Sequence, residues 1–172
     1  MCGIVGYASS NLEISENWLY RAINKISHRG PDNDGYWISP NKLIGFGHRR
    51  LSIKDLSNSG SQPMSYKNNG IKIIYNGEIY NNLELRKYIE INTSFKNWIG
   101  TSDTETLMML ITFFGIDKAL EKINGMFSFA YLDERNLDLY IVRDRVGEKP
   151  LFYHYEQGTI RFASELKALL ED

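Results

Sequence analysis

Cysteine occurs once in the 172 residues, at position 2. A lone thiol excludes an internal disulfide and with it a secreted disulfide scaffold, so a reducing compartment is expected. It also excludes a zinc site built on several thiolates. The three histidines (His28, His48, His154) are too scattered to replace them, and no metal site is expected. Charge of neither sign dominates. Twenty Lys and Arg stand against twenty-one Asp and Glu, a net charge of -1, which leaves no basic footprint for nucleic acid. No apolar run approaches the roughly 20 residues of a membrane span. The N-terminus lacks the basic n-region and long apolar stretch of a signal peptide. A cytoplasmic protein without a membrane or nucleic-acid partner is the expectation. Repeats and low-complexity tracts are also missing.

What is there is an ordinary globular composition, 42% hydrophobic and 24% charged, in a chain long enough to bury a sizeable core. Gly3 to Ala8 reads as a buried strand. Ser15 is placed to cap a helix carrying Trp18, Leu19, Ala22, Ile23 and Ile26 at helical spacing. "SHRGPDNDGYW" reads as a loop, followed by strands at Tyr36 to Ile38 and Leu43 to His48. Lys54 to Gly70 is a long loop by composition. Ile71 to Tyr75 is a strand ending in an Asn-Gly turn, and Asn81 or Asn82 caps the helix after it. "TSDTETLMMLITFFG" is a helix capped by Ser102 or Asp103 and stopped by Gly115. A short helix spans Lys118 to Ile123. Strands follow at Met126 to Leu132, Leu137 to Arg143, Leu151 to Tyr155 and Thr159 to Ala163, with hairpin turns at Asp133 to Asn136 and Glu156 to Gly158. "SELKALLED" closes the chain as a short helix. Blocks of helix alternate with antiparallel hairpins, which makes the class α+β.

The position of Cys2 invites a chemical reading. A residue this small in second place favours removal of Met1, and the chain would then begin with a cysteine bearing a free α-amino group. Reference pKa values of about 7.7–8.0 for the amine and about 8.5 for the thiol let the amine act as the thiol's own base. Position alone favours an inert, small core residue, the usual fate of a free cysteine.

Other stretches bear on that choice. "MCGIVGY", "HRGPDNDG", "HRRLSIKDLSNSGSQPM", "YNGEIYNNLELR", "SDTETL", "GMFSFAYLD", "RDRVGEKPLFY" and "FASELKAL" stand in this order along the chain. Together they resemble the glutaminase domain, a class II glutamine amidotransferase, of the glutamine-hydrolysing asparagine synthetases. The resemblance runs over nearly the whole chain and makes residues 1–172 one glutaminase domain. It implies the fold of the N-terminal nucleophile hydrolases, a four-layer sandwich with two antiparallel β-sheets between helical layers.

The resemblance also implies roles. Cys2 attacks the side-chain amide of L-glutamine. The Asn76 side-chain NH2 and the Gly77 backbone N–H form an oxyanion hole, although Asn-Gly by itself is a strong turn signal. Arg50 binds the α-carboxylate, for which a planar guanidinium is suited, while Arg49 points the other way along the strand. Glu78 and Asp103 receive the α-ammonium. Without the resemblance, Arg50 and Glu78 read as surface charges and Asp103 as a helix cap. Leu51, Ser52, Ile53 and Lys54 line the pocket through their backbone. "HRGPD" and "RDRVGEKP" are assigned no chemical step, and the aromatic and Met side chains of "GMFSFAY" read as strand core by alternation.

This half-reaction needs no cofactor. In the family, ammonia passes to a C-terminal synthetase domain that uses ATP and Mg2+ to activate aspartate. The loop that marks such a domain is absent from these residues, so the synthetase is expected in cis as a removed part or in trans as a partner. A homodimer is compatible with the reading. Two alternatives stand beside aspartate amidation: the same glutaminase serving a sugar or peptide acceptor, and a non-catalytic module that binds glutamine or only contacts a partner.

Overall fold

The computed structural model describes residues 1–11, 14–53, 55–67 and 70–170. Eight strands are found among them: β1 (Gly3–Ser9), β2 (Asn33–Ile38), β3 (Ile44–Arg50), β4 (Ile71–Ile79), β5 (Gly125–Asp133), β6 (Asp138–Arg143), β7 (Phe152–Glu156) and β8 (Thr159–Ala163). The helices are α1 (Glu16–Lys25), α2 (Asn82–Asn92), α3 (Asp103–Phe114), α4 (Ile116–Lys122) and α5 (Leu166–Leu169). All strand pairs are antiparallel. One sheet has the order β2-β3-β1-β8-β7 and the other β4-β5-β6.

Three apolar clusters define the layers. Val5 and Tyr7 of β1 pack with Trp18, Leu19, Ala22 and Ile23 of α1 and Ala168 of α5, so helices cover the outer face of the five-stranded sheet. Ile4, Phe46 and Phe162 of that sheet meet Ile74, Ala130 and Leu132 of the other. Ile73, Tyr75, Phe127, Phe129 and Tyr131 face Leu85 and Ile89 of α2, Leu107 and Ile111 of α3 and Ala119 of α4. Helix, sheet, sheet and helix are therefore stacked, as the resemblance implies. Strand alternation sends Ile4 inward and Val5 and Tyr7 outward on β1. On β5 both faces are buried, because a central strand between a helical layer and a second sheet has no wet side. Phe127, Phe129 and Tyr131 thus belong to one core and Ala130 and Leu132 to another.

Several local expectations are corrected. Asn76 and Gly77 do not form a turn. β4 continues through them, with Asn76 opposite Ser128 and Gly77 opposite Phe127. Nine consecutive pairings with β5 outweigh the local preference of an Asn-Gly pair. Glycine is needed here for space, since a Cβ on Gly77 would stand 2.4 Å from the Met126 carbonyl oxygen. The stretch read as loop before Tyr36 contains a 3₁₀ turn, Ser27–Arg29, and the start of β2, where Asn33 and Asp34 pair with Arg50 and Arg49. Polar residues are tolerated there because β2 is an edge strand. Ser15 and Asn81 occupy N-cap positions without a capping side-chain bond. The Asn81 amide instead bonds the Lys122 carbonyl and the Asn124 N–H, joining α2 to the start of β5. The hairpin turn between β7 and β8 is as expected: Gln157 and Gly158 both have positive φ, as a two-residue turn of that hand requires. Among the described residues no helix is long and apolar enough to cross a membrane.

Candidate active site

The ends of β1, β3 and β4 and the first turn of α3 surround a pocket of about 220 Å³. Cys2 lies just before β1, Arg50 closes β3, and Leu51, Ser52 and Ile53 follow it. Asn76, Gly77 and Glu78 come from β4, and Asp103 opens α3. All nine line this one pocket. Lys54, the tenth residue expected there, lies outside the described residues.

The Cys2 thiol is partly buried. Its Sγ donates to the Leu51 carbonyl at 3.6 Å and accepts from the Leu51 N–H at 3.4 Å. Burial pushes its pKa up from 9.0, while the Leu51 bond, the chain's N-terminal charge and Arg50 pull it down. In the chain bearing Met1 the thiol therefore stays protonated at neutral pH. Met1 itself lines the pocket, where the Lys149 Nζ lies 3.6 Å from its Sδ.

β4 presents its free edge to the site. The Ile73 N–H and carbonyl bond Met64, the Tyr75 N–H donates to the Gln62 side chain, and the Ile79 N–H donates to Asp103. Alternation along the strand places the Gly77 N–H on this same edge, between the Gln62 and Asp103 bonds. The neighbouring Asn76 side chain is buried, and its Nδ2 has no hydrogen-bond partner among the described residues. A buried amide donor without a partner costs about 1–3 kcal/mol. Such an unmet donor calls for an explanation, because buried polar groups are nearly always bonded.

Neighbouring groups fix this edge. His48, fully buried, donates from Nε2 to the Tyr75 carbonyl at 3.2 Å, which ties β3 to β4. Burial, with Arg50 beside it, lowers its pKa from 6.5 to about 3 despite the Tyr75 bond. It is a neutral imidazole protonated at Nε2. Asp103 is the first residue of α3 rather than its cap. Ser102 caps the helix, accepting from the Thr104 N–H at 3.1 Å. The Asp103 carboxylate instead accepts from the Tyr75 hydroxyl at 3.0 Å and the Ile79 N–H at 2.9 Å. Burial, followed by Asp103 itself, drives the Tyr75 pKa well above 10, so the phenol remains a donor.

Arg50 is a buried cation rather than a surface one. It donates to the carbonyls of Ser57, at 2.9 Å, and Asp55. A guanidinium has five N–H donors, so these two bonds do not exhaust it. Arg49 turns to the opposite face, bonding the Ile23 carbonyl, Asn24 and Asp34. Asp55 anchors the wall that Arg50 leans on. Burial raises its pKa, but bonds from Ser57, Thr101 and Ser59 outweigh this and hold the carboxyl at about 2.

Three supports escaped the sequence reading. Asp55 and Gln62 lie inside a segment read as loop, within a motif in which neither was given a role. Arg29 lies in the motif given no role, yet its Nε donates to the Cys2 carbonyl at 2.9 Å. "RDRVGEKP" is held together by the Asp144 carboxylate, which accepts from the N–H groups of Phe127, Val146, Glu148 and Lys149. Among the described residues no three His, Cys, Asp or Glu side chains gather as a metal site would require.

Residues 1–172 match the model of the family described as "Glutamine amidotransferase domain". The chain is 39% identical over 175 residues to asparagine synthetase (glutamine-hydrolysing) 1 of Bacillus subtilis, covering 99% of this chain and 27% of that protein. It is 38% identical over 153 residues to the amidase chry2 of Gibberella zeae, covering 88% of this chain and 22% of that protein. It thus spans about a quarter of the length of these relatives. Among solved structures, a B. subtilis glutamine phosphoribosylpyrophosphate amidotransferase shares the fold, with a TM-score of 0.77 at 20% identity over 98% of this chain and 43% of that one.

Proposed function

The chain belongs to the glutamine amidotransferase domain family, and on that premise we propose that it hydrolyses L-glutamine through a thioester on Cys2. The observation that carries the proposal is the buried Asn76 Nδ2, without a partner among the described residues, in the same pocket as the Cys2 thiol. An acyl-transfer site needs donors aimed where the oxygen becomes negative, and here Asn76, with a side-chain donor, and Gly77, with a backbone N–H, are adjacent on one strand and line one pocket.

The chemistry starts from the chain without Met1. The freed α-amine takes the thiol proton, and the thiolate attacks the glutamine amide carbon. Asn76 and Gly77 receive the negative oxygen. The α-ammonium returns its proton to the departing nitrogen, and ammonia leaves. Water then attacks the thioester, giving glutamate and the free thiol. Arg50 holds the α-carboxylate with its remaining N–H donors, and Glu78 and Asp103 hold the α-ammonium. This clamp selects the free amino acid over a glutamine within a peptide.

In relatives named as glutamine-hydrolysing asparagine synthetases this domain is one part of a longer chain. By that analogy the ammonia is delivered to a synthetase part that amidates aspartate with ATP and Mg2+. The test is glutamate release from glutamine and from glutamine blocked at its α-amine or α-carboxylate. Turnover confined to the free amino acid supports the clamp. Equal turnover of the blocked compounds refutes it.

A further inference from the structure

The nucleophile proposed above is an unusually placed residue. With Met1 gone, Cys2 becomes the chain terminus, and chain ends fray unless they are tied down. Its own strand gives little help, because the β1–β3 pairing begins one residue later, with Gly3 opposite Arg49. Among the described residues the thiol has only the long contacts to Leu51. The main chain of Cys2 is held by a short bond, from the Arg29 Nε to the Cys2 carbonyl at 2.9 Å.

Arg29 is buried and needs a counterion to stay there. Its Nη1 lies 3.1 Å from the Glu165 Oε1, and its Nη2 has no partner among the described residues. Glu165 sits at the N-cap position of α5, more than 130 residues along the chain. The same carboxylate receives His28 at 2.9 Å and Lys167 at 3.1 Å. The neighbouring Ser164 bonds the Ile4 N–H through its hydroxyl at 2.9 Å and the Ile4 carbonyl through its own N–H. The "FASEL" motif therefore reaches the start of the chain twice, directly from Ser164 to Ile4 and through Arg29 from Glu165 to Cys2.

We propose that Glu165 is a positioning residue that fixes the guanidinium of Arg29 and, through it, the main chain of Cys2. Glu165 touches neither substrate nor thiol. Without its charge, the buried Arg29 turns toward other acceptors and releases the Cys2 carbonyl. The thiol then samples positions away from Asn76 and Gly77. The inference rests on Cys2 being the nucleophile.

Two readouts test it on the Met1-free chain. Glu165→Gln should lower the glutaminase kcat by about 10- to 100-fold, the scale of a small misplacement of a reacting group, with KM within about twofold. Lys167→Gln, which leaves the Arg29 pair intact, should keep wild-type turnover. The second readout needs no glutamine. A loosened, less buried thiol is alkylated faster, so Glu165→Gln should raise the iodoacetamide rate at Cys2 about threefold or more. Should the glutamine variant fail to fold, Glu165→Asp, whose reach is shorter, takes its place with alkylation as the readout. Wild-type kcat, or a variant in which KM alone rises, overturns the proposal, as does an unchanged alkylation rate. If the wild type releases no glutamate, the functional reading fails, and the alkylation contrast still decides the positioning role.

Discussion

Replacing Asn76 by alanine separates its proposed catalytic duty from any structural one. The residue is 2% exposed and its Nδ2 finds no partner among the described residues. In the resting protein the amide therefore costs about 1–3 kcal/mol of unmet hydrogen bonding. Truncation removes that cost and leaves a small void worth about 1 kcal/mol or more in lost contacts. The two nearly cancel, so stability should change by about 1 kcal/mol or less, a shift of roughly 2–4 °C in Tm for a chain of this size. Catalysis should respond quite differently. Loss of one oxyanion donor costs about 10²–10³ in kcat, or about 2.7–4 kcal/mol. The interaction forms fully only when the oxygen is negative, so KM should barely move. The assay pairs steady-state glutamate release with thermal unfolding of the same sample. A variant retaining kcat within threefold would falsify the oxyanion assignment. A large fall in Tm with proportionate loss of activity would show that the residue serves the fold.

Other consequences are as direct. Arg50→Lys keeps the charge but loses the fork, so the glutamine KM should rise about tenfold or more with kcat little changed; a fall in kcat alone contradicts carboxylate binding. Gly77→Ala places a methyl carbon 2.4 Å from the Met126 carbonyl oxygen. The strands must separate, at about 1–3 kcal/mol, and unfolding should shift to lower temperature together with a loss of kcat; an unaltered Tm contradicts the close approach. His48 is held neutral with a pKa near 3 against 6.5 when unfolded. The unfolded chain therefore binds the extra proton between these values. Stability should fall as pH drops below about 6.5, with this histidine contributing up to about 1.4 kcal/mol per pH unit. His48→Gln should flatten that slope in urea unfolding, and an unchanged slope refutes the assignment.

The sequence was most informative where chemistry and local pattern agree. Helical spacing around Trp18 and Leu19, the Ser102 and Gly115 caps and the Gln157-Gly158 turn are local signals, and each is found in the fold. The ordered motifs also brought together side chains as distant as Cys2 and Asp103. What escaped was long-range. Asn76-Gly77 looks like a turn until β5 is paired against it. Asn81 looks like a cap until the Lys122 carbonyl competes for its amide. Asp103 looks like a cap until β4 presents the Tyr75 hydroxyl and the Ile79 N–H. Arg29 and Glu165 are ordinary surface residues by composition and meet only when α5 closes beside β1. Asx and arginine side chains satisfy whatever backbone the tertiary fold brings near, and no window of neighbouring residues reveals that partner.

The proposed chemistry turns on acylation of Cys2, freed of Met1, by glutamine. Intact-mass analysis of the Met1-free chain, quenched during turnover, tests it most directly. The expected result is a glutamyl adduct confined to Cys2 that decays to glutamate and never forms on Cys2→Ala. Glutamate release from Cys2→Ala at the wild-type rate would contradict it, as would a Met1-free wild type that neither acquires the adduct nor releases glutamate.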